Sequence, residues 1–160
     1  MEQLNASEEK RAWNWAIRWL SRSSLHSQTL AQKMHKKGFS TPAIEKVLVR
    51  LAQSGFLDDA AYTTRFVQKL LESGKSALQI YAKAKAASLP LTEVRAVLGS
   101  EEAQNLRTPT LQRLIERKYP ILLQNAPPAA KRKALAALLR RGFSYASIER
   151  VLQNPENAVF

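Results

Sequence analysis

The chain has 160 residues, of which 45% are hydrophobic, and its 25 Lys and Arg against 13 Asp and Glu give a net charge of +12. It has no cysteine, which excludes disulfides and thiolate metal sites, and no segment approaches the ~18 apolar residues of a membrane span. We therefore expect a cytoplasmic protein without membrane contact, whose charge favours polyanions or acidic protein surfaces as partners.

The first predicted repeat, residues 1–56, contains three short helices whose apolar residues recur at helical spacing. The first runs from about Glu8 to Arg22 and the second begins at Ser27. Thr41 caps the third, with Pro42 at its first position. The predicted inward residues are Trp13, Ile17 and Leu20; Leu30 and Met34; and Ile44, Val47, Leu48 and Leu51.

Three tryptophans fall on the first helix. Trp13 belongs to the inward stripe, whereas Trp15 lies about 200° from it around the helix, so both cannot face the core. We favour packing for Trp15 and Trp19, because short helices offer little apolar area, and stacking on a nucleic-acid base is the alternative.

The second predicted repeat, residues 57–100, begins with two consecutive acids. Asp58 and Asp59 follow a turn and precede an aromatic helical stripe, so we favour helix capping over a metal or acid–base pair. Ser76 caps the second helix and Thr92 starts the third. The predicted inward residues are Tyr62, Phe66 and Leu70; Ile80 and Ala84; and Val94, Val97 and Leu98.

The third predicted repeat, residues 107–154, is divided by prolines. Thr108 and Pro109 start its first helix, which breaks near Tyr119-Pro120. Pro127-Pro128 starts the second helix and Ser144 caps the last. The predicted inward residues are Leu111, Leu114 and Ile115; Leu135, Leu138 and Leu139; and Ile148, Val151 and Leu152.

Two segments of thirteen residues repeat each other. KKGFSTPAIEKVL, from Lys36, and RRGFSYASIERVL, from Arg140, share seven residues and exchange Lys for Arg at three more positions. The pattern predicts a helix that ends at a left-handed glycine, Gly38 or Gly142, followed by Phe39 or Phe143 folding back on it. A weaker third copy has Ser88 in place of the glycine. The sequence therefore predicts an all-α tandem array of three three-helix repeats, elongated and curved.

Basic residues are concentrated in the last third of the chain. From Arg107 to Arg150 there are ten basic residues and two acids, a net charge of +8. Cations in the last turn of a helix stabilise it without a partner, but Lys131-Arg132-Lys133 lies near a helix start, where positive charge is unfavourable, and so indicates an external anion. The predicted partner-binding residues are Lys36, Lys37, Lys46, Arg50, Arg113, Arg117, Lys118, Lys131, Arg132, Lys133, Arg140 and Arg141.

No catalytic set is apparent in the sequence. His26 and His35 have no carboxylate at metal-ligand spacing, and a surface or capping role is expected for each. The glycines that end helices leave none for a phosphate-binding loop. We expect a protein that is not an enzyme and has no cofactor or metal.

The central segment resembles the RecX regulatory proteins. Leu57-Asp58-Asp59, the aromatic residues Tyr62 and Phe66, and Gly74-Lys75 are similar to that family's signature. Further matching positions are Ser21-Arg22, His26-Ser27, Lys37-Gly38 and Arg141-Gly142-Phe143-Ser144. The sequence departs from the family pattern at Ser23-Ser24-Leu25, Thr29 and Ser88.

The resemblance implies a monomeric, non-enzymatic regulator of recombination, DNA repair and the SOS response. It would bind the RecA recombinase filament on single-stranded DNA, suppress its ATPase and strand-exchange activities, and contact DNA weakly. The alternative is a helix-turn-helix regulator that reads duplex sequence with Lys46, Arg50 and Gln53. We favour the first, because the helix pair recurs with different outward residues and no dimer helix is apparent.

Overall fold

A computed structural model describes residues 2–153 of the chain, and their side chains from Ser7 onward. These residues form helices and no strand, which confirms the all-α prediction. The helices are α1 Glu2–Leu20, α2 Ser27–Lys37, α3 Thr41–Gln53, α4 Asp59–Glu72, α5 Ala77–Ala86, α6 Leu91–Gly99, α7 Glu101–Lys118, α8 Pro128–Arg140 and α9 Tyr145–Gln153, with a short 3₁₀ helix at Pro120–Leu122. Within this part of the chain, none is long and apolar enough to cross a bilayer.

The chain divides into two compact units. The first unit contains the described residues up to Thr64 together with Ala87–Leu89. The second unit contains Arg65–Ala86 and the described residues from Pro90 onward. The division does not follow the predicted repeats, whose bounds of 1–56, 57–100 and 107–154 stay a prediction.

In the first unit, α1 and α2 both pack against α3. The inward residues predicted for α2 and α3 are confirmed: Leu30, Met34, Ile44, Val47 and Leu51 are buried, and Leu48 is half-buried beside them.

On α1 the predicted stripe contacts the core, but the fully buried positions lie one residue before it. Ala12 and Ala16 are fully buried, whereas the predicted stripe of Trp13, Ile17 and Leu20 is half-buried against the same core. Trp13 and Trp15 lie about 100° to either side of the alanine line, so each covers one flank of it. Packing is therefore confirmed for Trp15, which contacts this core.

In the second unit, α7 packs against α6 and α9 around a core that includes Leu111, Leu114 and Ile115. The other predicted inward residues of the third repeat are buried or half-buried, except Leu139, which is 42% exposed. Ile80, Ala84, Val94 and Leu98 are buried as predicted.

The stripe predicted for α4 was also displaced by one residue. Thr63, Val67 and Leu71 are buried, while the predicted residues Tyr62, Phe66 and Leu70 are half-buried. The prediction placed Tyr62 and Phe66 inward because their rings are large and apolar. The smaller side chains of Thr63 and Val67, one position later, are the buried ones.

Helix α7 begins seven residues before its predicted start at Thr108, and Pro109 lies inside it. Its N-cap is Ser100, whose hydroxyl accepts a hydrogen bond from the Ala103 N–H at 3.3 Å, and Glu101 and Glu102 complement the positive end of the helix dipole. Pro109 has no N–H to donate within the helix, yet α7 continues through it, so the preference of proline for a first helical position was misleading here.

Two other helices also begin one residue before the predicted position. Ser40, and not Thr41, is the N-cap of α3, and α6 starts at Leu91 behind Pro90. The predicted caps Asp58, Ser76 and Ser144 each accept a hydrogen bond from a backbone N–H three residues on.

The predicted glycine stops are confirmed. Gly38 and Gly142 have φ of 93° and 86°, and the N–H of each donates to the carbonyl three residues earlier. The Phe39 N–H donates to the Met34 carbonyl, and the Phe143 N–H donates to the Leu138 carbonyl. Each half-buried ring packs against the core beside the helix that has just ended. Ser88, the serine in the glycine position, also has positive φ, 56°.

The two glycines differ in their surroundings, which yields a test. A Cβ on Gly142 would lie 2.6 Å from Leu78 Cβ and 3.0 Å from Ser76 Oγ, whereas a Cβ on Gly38 would meet nothing within 4 Å. Both Gly→Ala substitutions cost about 1–2 kcal/mol for the left-handed backbone. We expect Gly142→Ala to cost about 1–3 kcal/mol more, because Leu78 must move. Urea denaturation measures both, and equal losses of stability would contradict the packing.

The start of α3 is tied to α1 through Glu8. The Ser40 N–H and hydroxyl donate to the two Glu8 carboxylate oxygens at 2.8 and 2.7 Å. The backbone hydrogen bond, then the hydroxyl one, and more weakly the charge of Arg11 hold the pKa of Glu8 below its ordinary 4.5. Because the folded pKa is the lower one, this contact stabilises the fold above pH 4.5 and loses its effect as the pH falls through the folded pKa.

The variant Glu8→Gln tests this linkage. We expect it to be less stable than the wild type at neutral pH, and we expect that difference to shrink in acid well below the ordinary pKa of 4.5, where the wild-type carboxyl becomes protonated. Urea denaturation at the two pH values gives the comparison. A difference of the same size at both would show that the charge of Glu8 does not stabilise the α3 start.

Candidate anion-binding side chains

The basic cluster Lys131-Arg132-Lys133 lies in the second turn of α8, as the sequence predicted. Arg132 and Lys133 are exposed and Lys131 is half-buried. Within residues 7–153, none of the three is within 4 Å of a carboxylate. Neither the helix dipole nor an acidic neighbour therefore explains these charges, which leaves them available for an external anion.

Helix α7 presents three more cations. Arg113, Arg117 and Lys118 are exposed, and Arg113 Nε donates to the Pro109 carbonyl at 3.4 Å. The acid on this stretch, Glu116, accepts a hydrogen bond from the Gln112 side chain at 3.0 Å and forms no ion pair with a described cation. Arg117 and Lys118 close the helix, where they also complement its dipole.

At the end of α8 the two arginines differ. Arg140 is exposed, whereas Arg141 is half-buried and its Nη1 donates to the Tyr119 hydroxyl at 3.5 Å. The Arg141 carbonyl accepts a hydrogen bond from Ser76 Oγ. Arg141 therefore contributes to the packing of the second unit, and Arg140 is the freer of the pair.

In the first unit, two of the four predicted cations have local partners. Lys46 Nζ is 3.8 Å from Glu9 Oε2, and the Arg50 guanidinium lies 4.3 Å from the centre of the Trp13 ring. Lys36 and Lys37 are exposed in the last turn of α2. The alternative in which Lys46 and Arg50 read bases would require both side chains to leave these contacts.

The two acids of the family signature have separate tasks. Asp58 caps its own helix α4, with Oδ1 accepting from the Ala61 N–H at 2.8 Å. Asp59 instead accepts hydrogen bonds from the N–H of Ser27, at 2.7 Å, and from its hydroxyl, so it caps the start of α2, 32 residues earlier. Sequence reasoning missed this long-range cap because it assigned both acids to α4.

His26 precedes Ser27 at that start and is buried, with 1% of its surface exposed. Its Nδ1 accepts from the Gln28 N–H at 3.2 Å, which confirms the capping role. Its Nε2 is 3.7 Å from Asp59 Oδ2, and its ring lies 6.1 Å from that of Tyr62, centre to centre. His26, Ser27, Asp59 and Tyr62 thus form one structural cluster, and among the described residues no group of three or more possible metal ligands occurs.

Aromatic side chains also reach the surface of the first unit. Trp19 is 38% exposed, with Lys33 Nζ 4.3 Å from its ring centre and Trp15 beside it. Phe56 is 54% exposed and meets Trp13 edge to face. Each exposed ring therefore has a cation or an aromatic partner within the unit.

Comparisons with known proteins show which chains and folds this protein is similar to. A family model described as "RecX, third three-helix domain" matches residues 110–152. The chain is 26% identical over 137 residues to the Regulatory protein RecX of Syntrophotalea carbinolica, covering 84% of this chain and 90% of the relative. It is 23% identical over 149 residues to that of Mycobacteroides abscessus, covering 92% and 73%. The crystal structure of RecX from Lactobacillus salivarius matches its fold with a TM-score of 0.75 at 18% identity, covering 93% of this chain and 97% of that one.

Proposed function

The chain belongs to the RecX family of regulatory proteins, and on that premise we propose that it binds the RecA filament on single-stranded DNA and inhibits its ATPase, recombinase and strand-exchange activities. The observation that carries the proposal is the set of cations on α7 and α8 without carboxylate partners among the described residues. The resemblance supplies the partner, and the charges supply a means of docking on it.

The docking would be largely electrostatic. A nucleoprotein filament carries DNA phosphates and acidic protein side chains, and a chain with net charge +12 encounters such a polyanion faster than a neutral one would. Each phosphate contact displaces a counterion, so the affinity falls with salt, with a log–log slope near −0.7 per contact on a single strand. The protein itself would act as a monomer, without a cofactor, and its contact with bare DNA would be weak.

Inhibition then follows from differential affinity. A ligand shifts a conformational equilibrium only if it binds one state more tightly than the other. A regulator that docks on one filament conformation stabilises that conformation at the expense of the one that hydrolyses ATP or exchanges strands. No bond is made or broken by the regulator, so this mechanism requires no acid, base or nucleophile from this chain.

Charge reversal of the α8 cluster tests the docking surface. We expect the triple variant Lys131→Glu, Arg132→Glu, Lys133→Glu to bind the RecA filament at least about tenfold more weakly, because three charges change sign where anions dock. Its helicity should be unchanged, since acids near a helix start favour the dipole. Co-sedimentation with filaments assembled on single-stranded DNA measures the binding, and circular dichroism measures the helicity.

A matched control carries the same change in net charge elsewhere. Lys69, Lys83 and Arg95 are exposed and lie outside the predicted binding residues, so their triple reversal to Glu should weaken binding only through the general loss of positive charge. If the two triple variants bind equally, the α8 cluster is not the docking surface. If both bind like the wild type, electrostatic docking itself is contradicted.

A further inference from the structure

Three aromatic rings, those of Trp15, Trp19 and Phe39, form a patch on one flank of α1 in the first unit. The Trp15 ring centre lies 5.7 Å from that of Trp19 and 6.0 Å from that of Phe39. Trp15 and Phe39 are half-buried against the core, whereas Trp19 is 38% exposed. The two tryptophan rings are tilted by 44°, so Trp15 supports Trp19 from the side and does not cover it face to face.

The side chain that covers the Trp19 ring is Lys33 of α2, whose Nζ lies 4.3 Å from the ring centre. Helix α2 contains no acid, and among the described residues Lys33 forms no ion pair. A lysine that contacts an exposed ring is held weakly. Lys33 can therefore leave the ring, and its ammonium then lies beside the ring, free to bind an anion.

The surface around the aromatic patch is basic. Residues 10–44 contain seven basic residues and no acid. Arg11 and Arg18 are exposed, and they lie about 40° and 60° from Trp15 around α1, on the side away from the buried alanines. Glu8, the acid on this flank, has both carboxylate oxygens engaged at the start of α3. Cations therefore border the patch from both α1 and α2, and together they favour an anionic partner.

We infer that the aromatic patch binds a single strand of DNA, with one base stacked on Trp19 and neighbouring phosphates on Lys33 and Arg18. A base can replace Lys33 over the ring, because base stacking on an aromatic side chain is stronger than an exposed cation–π contact. Lys33 then exchanges the ring for a phosphate. Since every base has a π face, such a site accepts any sequence, and only a single strand offers a face that is not already stacked.

The aromatic patch and the Lys131–Lys133 cluster belong to different units of the chain. The inference deepens the proposed function, because it names a contact for the bare strand, and the choice of DNA over RNA rests on that function. The experiments below omit RecA, so a failure of the stacking site is distinguishable from a failure of filament inhibition.

Fluorescence anisotropy of a labelled oligothymidine at low salt, with the full chain, tests the stacking. Trp19→Leu keeps an apolar side chain beside Trp15 but has no aromatic face, and we expect it to bind about fivefold or more weakly. Trp19→Phe keeps a smaller face and should bind within about threefold of the wild type. Phe56→Leu is the matched control, because Phe56 is a 54% exposed ring outside the patch, and it should bind like the wild type.

Tryptophan fluorescence gives a second measurement, which does not depend on the folding of Trp19→Leu. A base stacked on an indole quenches its emission, so saturating oligothymidine should quench the wild type more than Trp19→Phe. Equal quenching of the two proteins would place the base elsewhere and contradict the inference.

The salt dependence of binding tests the phosphate contacts. The double variant Arg18→Gln, Lys33→Gln should lower the magnitude of the log–log salt slope by about 1.4, because it removes two single-strand contacts at about 0.7 each. The control Lys69→Gln, Lys83→Gln removes the same charge from exposed positions on α4 and α5, and it should leave the slope unchanged.

Three further results would overturn the inference. The first is equal binding of oligothymidine by Trp19→Leu and Phe56→Leu. The second is duplex DNA bound as tightly as the single strand with the same dependence on Trp19, because a duplex has no free base face. The third is a polyglutamate peptide that competes with oligothymidine and depends on Trp19 in the same way, which would make the patch an acidic-peptide site.

Discussion

The left-handed residue that ends a helix is the constraint on which the rest of this structure depends. Short helices bury enough surface only when the chain turns soon after they end, and at five helix ends the turn is made with a residue of positive φ. The chain places such a residue at Gly38, Gly55, Gly74, Ser88 and Gly142. After four of these stops the chain enters the next helix through a short capped turn, with Ser40, Asp58, Ser76 and Ser144 in the cap positions. The repeat visible in the sequence is the repeat of this turn.

The same constraint separates structural cations from those available for binding. A helix that ends at a glycine favours basic residues in its last turn, and Lys36, Lys37 and Arg140 occupy such positions. Their charges therefore have a reason within the fold. The cluster at Lys131–Lys133 has none, since it lies near a helix start and lacks acidic neighbours among the described residues.

The features that the sequence predicted well are those encoded within a few residues. Glycine stops, the caps Asp58, Ser76 and Ser144, and the inward stripes of α2 and α3 follow from local chemistry. What it missed depends on tertiary contacts. Ala12 and Ala16 are buried because α1 packs closely on α3, although larger residues beside them look more suited to a core. Asp59 caps a helix 32 residues away, so no local pattern indicates this contact. The start of α7 is a different case: Ser100-Glu101-Glu102 marked it, and Pro109 was given more weight.

The central claim is that this chain recognises the RecA filament and not merely DNA. The most direct measurement is the ATPase rate of RecA from the same organism on single-stranded DNA, titrated with this protein, alongside its binding to the same DNA without RecA. We predict inhibition at concentrations well below those at which the protein coats bare DNA, because docking on the filament adds protein contacts to phosphate contacts. Inhibition only at concentrations that coat the DNA would contradict the account and make the protein a DNA-binding regulator.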